Sequence, residues 1–499
     1  MVKRKSSNNC NRRIRINRGG MEANTLAILD SNESHKDSQD ARDDSVDFLE
    51  AVRTASLLPE NGTPPTEKMV EAVFQILRAG KSLELIMSSY ELLNEIEKRF
   101  PRVYMSESSG NDSRELVVIN EAWLPFVVFS DVMSSEREAT PKNSDGLFDV
   151  NGFHELIQGL AELANKTISQ RVDTESLGNM LLFQYLVNVL EEDFVPRINM
   201  YKETMNWNLL RECLLNMLLG SRRVNYKVLM KDCLSTICGL CQDHAGIVDE
   251  SEHSETSMGK SYENHNTDVA IALLEVQKTT CLAMQKLLTM IMELDMSKKQ
   301  AHMEGQTTRA DGVRTPLAEI ILDELTYDRD ILSPFLQVFN DPKWKLEIIV
   351  QYFLKYTAKP SVRTRRSDVT SEDSTLNRVL KSFSNGTYTR NIIKKIDVEA
   401  VQLLLAHAFL IRHGSHETNV KSNFEAKSWN NLAYLSMSSQ QRLPGMSDCK
   451  EDENSSLMEI SKDVIAAFNS LRGADENIEI SSLGKEALFT AAMIISTTS

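Results

Sequence analysis

Residues 311–356, DGVRTPLAEIILDELTYDRDILSPFLQVFNDPKWKLEIIVQYFLKY, confine the chain to a helical fold more tightly than any other stretch. Three times a residue able to cap a helix stands just before a proline: Thr315-Pro316, Ser333-Pro334 and Asp341-Pro342. A capping side chain accepts a free N–H of the first turn, and proline at the first helical position loses no hydrogen bond. Each pair predicts a helix start. The first helix puts Leu317, Ile320, Ile321 and Leu325 on one face, and the second Phe335, Leu336, Val338 and Phe339. In the third, Leu346, Ile349, Val350 and Phe353 recur at i, i+3, i+4 and i+7, with Lys345, Glu347 and Gln351 off the stripe. Links this short make neighbouring helices pack side by side, as in helical-repeat stacks.

The rest of the chain follows the same pattern. Val46, Leu49, Val52 and Leu57 mark a first helix beginning near Ser45. Met69, Val73, Ile76 and Leu77 face inward in a second, and 83–100 form a third. Leu116–Ile119 and Phe126–Phe129 read as short strands within a mixed segment. Helices resume at about 149–166, 175–192, 203–220 and 224–242, and the longest is expected over 268–296. Further helices fall at about 376–384, 397–412, 457–471 and 483–495. No strict period is visible, so the expected fold is all-α, an irregular α-solenoid with a disordered N-terminus and long loops. Its parts are a basic-then-acidic tail over 1–44, an N-terminal helical part over 45–244 and an acidic loop over 245–266. A central helical part over 267–412, a polar insertion over 413–455 and C-terminal helices over 456–499 complete it.

Charge limits the function classes. A net charge of -15 argues against a nucleic-acid binder acting with its whole surface, though not against a local basic contact. Two basic groups are candidates: seven Lys/Arg within residues 1–20, and Arg363, Arg365 and Arg366 with Lys355 and Lys359 nearby. The three arginines could hold DNA phosphates. No helix-turn-helix pattern accompanies them, so reading of bases is not supported. No apolar run is long enough to span a membrane, and seven scattered cysteines fit a reducing compartment.

Motifs for catalysis fail on inspection. Gly80-Lys81-Ser82 ends like a phosphate-binding loop, but Gln75 stands where the turn needs a glycine. Gly259-Lys260-Ser261 fails likewise, with Ser254 in that place. Cys233, Cys238, Cys241 and His244 are the most metal-like cluster, but Leu234, Ile237 and Leu240 set the run on a helix and no second CxxC follows. Buried free thiols are the expectation. No catalytic residue, cofactor or metal is assigned.

Several runs carry a resemblance. They are MEANTLAILD (21–30), ETMNWNLL (203–210), LMKDCLST (229–236), MIMELDMSKK (290–299) and, above all, DGVRTPLAEIILDELTY (311–327). DPKWKLEIIVQ (341–351), PSVRTRR (360–366) and FSNGT (383–387) complete the set. The chain resembles the plant negative regulators of systemic acquired resistance. That resemblance implies a nuclear, non-enzymatic helical scaffold, an irregular armadillo/HEAT-like α-solenoid, that represses transcription of pathogenesis-related genes. It also implies a subunit of the Smc five–six chromosome-maintenance complex beside an element-five-like partner, linking defence to recombination and DNA repair. Transcription factors at defence-gene promoters are implied partners, and contact with chromatin or DNA is then indirect. The partner surface is expected on 268–296 and the central stretch. The alternative is a direct DNA-binding repressor using its basic segments.

Overall fold

The computed structural model describes residues 39–58, 62–108, 114–120, 123–126, 148–166, 173–220, 225–249, 264–357, 376–414, 449–474 and 478–498. The fold is all-α, with one antiparallel hairpin among the described residues. Two compact units divide the chain. One takes residues up to Leu229 with Ser254–Leu287 and Ser297–Gly312; the other takes Met230–His253, Leu288–Met296 and Val313–Ser499.

The first unit begins with α1 (Gln39–Ser56), α2 (Glu67–Ala79) and α3 (Leu83–Arg99). Helix α1 starts at Gln39, earlier than the expected start near Ser45; residues 1–38 lie outside the described residues. Leu49 and Val52 are buried as the stripe predicts, as are Met69, Val73, Ile76 and Leu77 of α2. The hairpin β1 (Val103–Ser108) and β2 (Arg114–Asn120) contains the expected strand at Leu116–Ile119, pairing Tyr104 with Val118 and Ser106 with Leu116. Of the second expected strand, Phe126 makes an isolated bridge to Phe148, and 127–129 lie outside the described residues.

Helices α4 (Val150–Ala164) and α5 (Thr174–Thr204) follow. Asp149 and Asp173 cap them, accepting the N–H groups of Gly152 at 2.8 Å and Ser176 at 2.6 Å. Helix α5 was expected to stop near 192. It continues through Pro196, because Asp193, Phe194, Ile198 and Tyr201 on both sides of the proline are held in the core. Helices α2, α3 and α4 all pack on α5. Met205 ends it in the left-handed region, with φ 55. The expected single helix over 203–220 is therefore broken into α6 (Trp207–Arg211) and α7 (Leu214–Gly220).

Helices α8 (Tyr226–Asp249) and α9 (Asn264–Met303) come next. Both extend into the stretch read as an acidic loop, whose residues 250–263 lie outside the described residues. Thr280, Met284, Leu287, Ile291 and Leu294, three or four residues apart along α9, form a buried stripe.

The second unit is built on the central stretch. Helices α10 (Leu317–Tyr327), α11 (Leu332–Val338) and α12 (Pro342–Thr357) match the three predicted helices. Leu317, Ile320, Ile321 and Leu325 are all buried, as are Phe335, Leu336 and Phe339; Val338 is half-buried. Only the third cap is as read: Asp341 Oδ1 accepts the Trp344 N–H at 2.9 Å. Helix α11 begins at Leu332, before the Ser333-Pro334 pair, and Thr315 makes no cap bond to α10. In α12, Ile349, Val350 and Phe353 are buried, but so is Lys345, which the stripe left outside. Trp344, Ile348 and Tyr352 are buried too, because α10, α13 (Leu376–Ser382) and α14 (Gly386–Lys395) all pack on α12. A helix covered on several sides cannot keep a single apolar face.

Helix α15 spans 398–414, α16 Cys449–Ala474 and α17 Ser482–Thr498. The ends of the expected 413–455 insertion are thus helical, and 415–448 lie outside the described residues. Helix α17 packs on α16 through Gly484, Ala487 and Ala491. A Cβ on Gly484 would stand 2.9 Å from Ile480 Cγ2 and 3.1 Å from the Phe468 ring, so a larger residue here would force those side chains to shift.

Candidate interaction surface and its buried anchors

The runs that carry the family resemblance hold one another in place. In the first unit, Asp311 is their meeting point. Its carboxylate accepts from Trp207 Nε1 at 3.0 Å, Arg211 Nε at 3.2 Å, the Thr308 N–H at 2.6 Å and Thr308 Oγ1 at 2.9 Å. Lys298 Nζ donates to the Asp311 carbonyl. Burial pushes the Asp311 carboxyl up, but bonds from Trp207 and Thr308 and the charge of Arg211 outweigh it and hold it below the usual value. Trp207 is buried against Tyr201, and Tyr201 donates to the Ser297 carbonyl at 3.0 Å.

In the second unit, Asp295 replaces the missing cap of α10. One carboxylate oxygen accepts the Leu317 N–H at 2.8 Å, and the other pairs with Arg314 at 2.8 Å. A side chain far back in the chain can satisfy a helix start as well as a local one. Lys343 pairs with Glu293 at 2.5 Å and lies 4.5 Å over the Trp344 ring. Phe383 packs edge-on against Phe353, and Asn385 caps α14 by accepting from Thr387 at 2.9 Å. Trp207, Asp295, Asp311, Arg314, Asp341, Phe383 and Asn385 thus serve the architecture.

A second polar anchor ties the hairpin of the first unit to α5. Asp193 is 2% exposed. It accepts from Arg197 Nε at 3.0 Å, Tyr104 Oη at 3.0 Å and the Leu214 N–H at 2.7 Å, with Arg102 at 3.7 Å. Nearby, burial and then the Glu192 carboxylate push Glu97 up to about 7, while Tyr185 donates to it at 3.2 Å.

The sequence-predicted contacts divide sharply. Arg363, Arg365 and Arg366 lie outside the described residues. Cys233 and Cys238 are buried and form no disulfide, and burial pushes the Cys233 thiol up. The side chains of Cys241 and His244 lie outside the described residues. Ser82 caps α3 through the Leu85 N–H at 3.3 Å, which accounts for it without a phosphate. In 268–296 and the central stretch the exposed large apolar residues are Leu282 and Met296 in α9, and Val313 and Tyr327 around α10. Around the end of α10, Lys355 pairs with Asp323 at 2.8 Å, and Arg329 donates to the Lys395 carbonyl at 2.8 Å. No helix among the described residues is long and apolar enough to cross a membrane.

The described residues form an all-α helical protein whose diagnostic residues bond to one another within each unit. Residues 102–341 match the SNI1 middle domain, and residues 357–431 and 426–499 match the SNI1 C-terminal domain. The chain belongs to the SNI1 family. It is 47% identical over 493 residues to the negative regulator of systemic acquired resistance SNI1 of Arabidopsis thaliana, covering 98% of each chain.

Proposed function

We propose that the chain is a negative regulator of systemic acquired resistance and acts as a non-enzymatic scaffold. The observation that carries the first part is its 47% identity, end to end, with the Arabidopsis thaliana regulator. Identity this high over 98% of both chains preserves the packing that presents the surface. The scaffold role is supported by anchors such as Asp193, Asp295 and Asp311, whose bonds fix helices in place.

The partners we propose are subunits of the nuclear Smc five–six complex, first an element-five-like protein, with DNA repair, recombination control and repression of pathogenesis-related genes as the outcome. Affinity purification from nuclear extract, with nuclease present and mass spectrometry as readout, tests this. Recovery of those subunits after nuclease supports the scaffold. Their loss, with direct and salt-sensitive DNA binding by the pure chain, would instead favour a DNA-contacting repressor. That second reading is favoured by Arg363, Arg365 and Arg366 standing within four residues of one another.

A further inference from the structure

Lys345 lies in the first turns of α12 and is 6% exposed. Among the described residues no carboxylate, hydroxyl or carbonyl bonds its ammonium, which keeps only a narrow contact with solvent. Lysines buried this far are ordinarily paired, because an unpaired ammonium loses most of its hydration and gains no bond in return. Two more polar groups nearby in the second unit are also unmatched. His407 on α15, close enough for its imidazole to sense the Lys345 charge, has a buried Nε2 without a partner. Trp344, next to Lys345 on α12, has a buried indole N–H without an acceptor. The N-terminal end of α12 adds positive potential at the same place. The Lys345 ammonium and the Trp344 indole are donors without acceptors, and a neutral His407 ring can also present an N–H at Nε2.

We propose that Lys345 anchors an oxyanion site, with the imidazole of His407 as a second donor. An anionic oxygen cluster supplies both the counter-charge and the acceptors that the protein omits. Burial, the first cause, and the Lys345 charge push His407 down to about 4, so the imidazole is neutral near pH 7 and offers one N–H without adding a second buried charge. The chemistry recognised is a small oxyanion, phosphate being the probe. Acetate asks whether a carboxylate serves equally. This inference is independent of the scaffold reading.

The test uses the full chain and its thermal midpoint at pH 7, titrated with sodium phosphate at constant ionic strength held by sodium chloride. A midpoint that rises and saturates in the unmodified chain, and stays flat in Lys345→Met, supports the site. The same saturable rise with acetate supports it and assigns the ligand to the carboxylates. Equal shifts in both proteins, or no saturable shift with either anion, overturn the proposal and leave Lys345 a hydrated amine. Should Lys345→Met fail to fold, acetylation of the unmodified chain decides. Phosphate should slow modification of Lys345 at least threefold while leaving the exposed Lys381 unchanged. Equal rates with and without phosphate would refute the site.

Discussion

Asp193 in the first unit and Lys345 in the second are both buried charges, and they are handled in opposite ways. Asp193 receives two guanidinium groups, a phenol and a backbone N–H. Both of its carboxylate oxygens are bonded, and it fastens the hairpin, α5 and the start of α7 together. Lys345 receives nothing from the described residues, and burial pushes it down to about 8. A satisfied buried charge fixes an architecture. An unsatisfied one costs stability, and the cost is returned only when something outside the chain binds.

The largest effect should come from breaking the satisfied side. Asp193→Ala leaves Arg197, Tyr104 and the Leu214 N–H buried without their acceptor, and should cost about 3–5 kcal/mol in chemical denaturation. A loss under about 1 kcal/mol would mean that the anchor is decorative. Lys345→Met should move the other way and stabilise the chain by about 1–3 kcal/mol at pH 7 without phosphate.

The pH dependence of Lys345 sharpens the contrast. Its folded pKa lies below the ordinary 10.5, so the unfolded chain holds the extra proton between about 8 and 10.5. Stability should therefore rise with pH through that window in the unmodified chain and lose that slope in Lys345→Met. Glu97 reads in the opposite sense. Its folded pKa is raised from 4.5 to about 7, so its contribution is full below 4.5 and is lost as pH climbs to about 7. Glu97→Gln should flatten the fall in stability between those values, seen in melts at pH 5 and pH 7.5. The smallest effect tests a purely local bond. Asn385→Ala removes the cap of α14 and should cost about 1 kcal/mol, with the phosphate response unchanged.

Wherever a local pattern decides the outcome, the fold was legible. The Asp341-Pro342 start of α12, the Leu317–Leu325 face of α10 and the α9 stripe follow from capping and from helical spacing. Asn385-Gly386 was an available cap signal for α14, although no helix was expected there. The candidate anion site was not legible: Lys345 fell off the apolar stripe, and only the packing of α10, α13 and α14 on α12 encloses it.

The sequence by itself determined that the chain is helical and that its diagnostic runs place it with the negative regulators of systemic acquired resistance. Tertiary structure alone decided that α5 passes through Pro196, that Asp295 rather than Thr315 caps α10, and that Lys345 is enclosed without a counter-charge. The physical reason is range. Periodicity and caps act over one or two turns and can be read along the chain, whereas burial and distant hydrogen bonds exist only once remote segments meet.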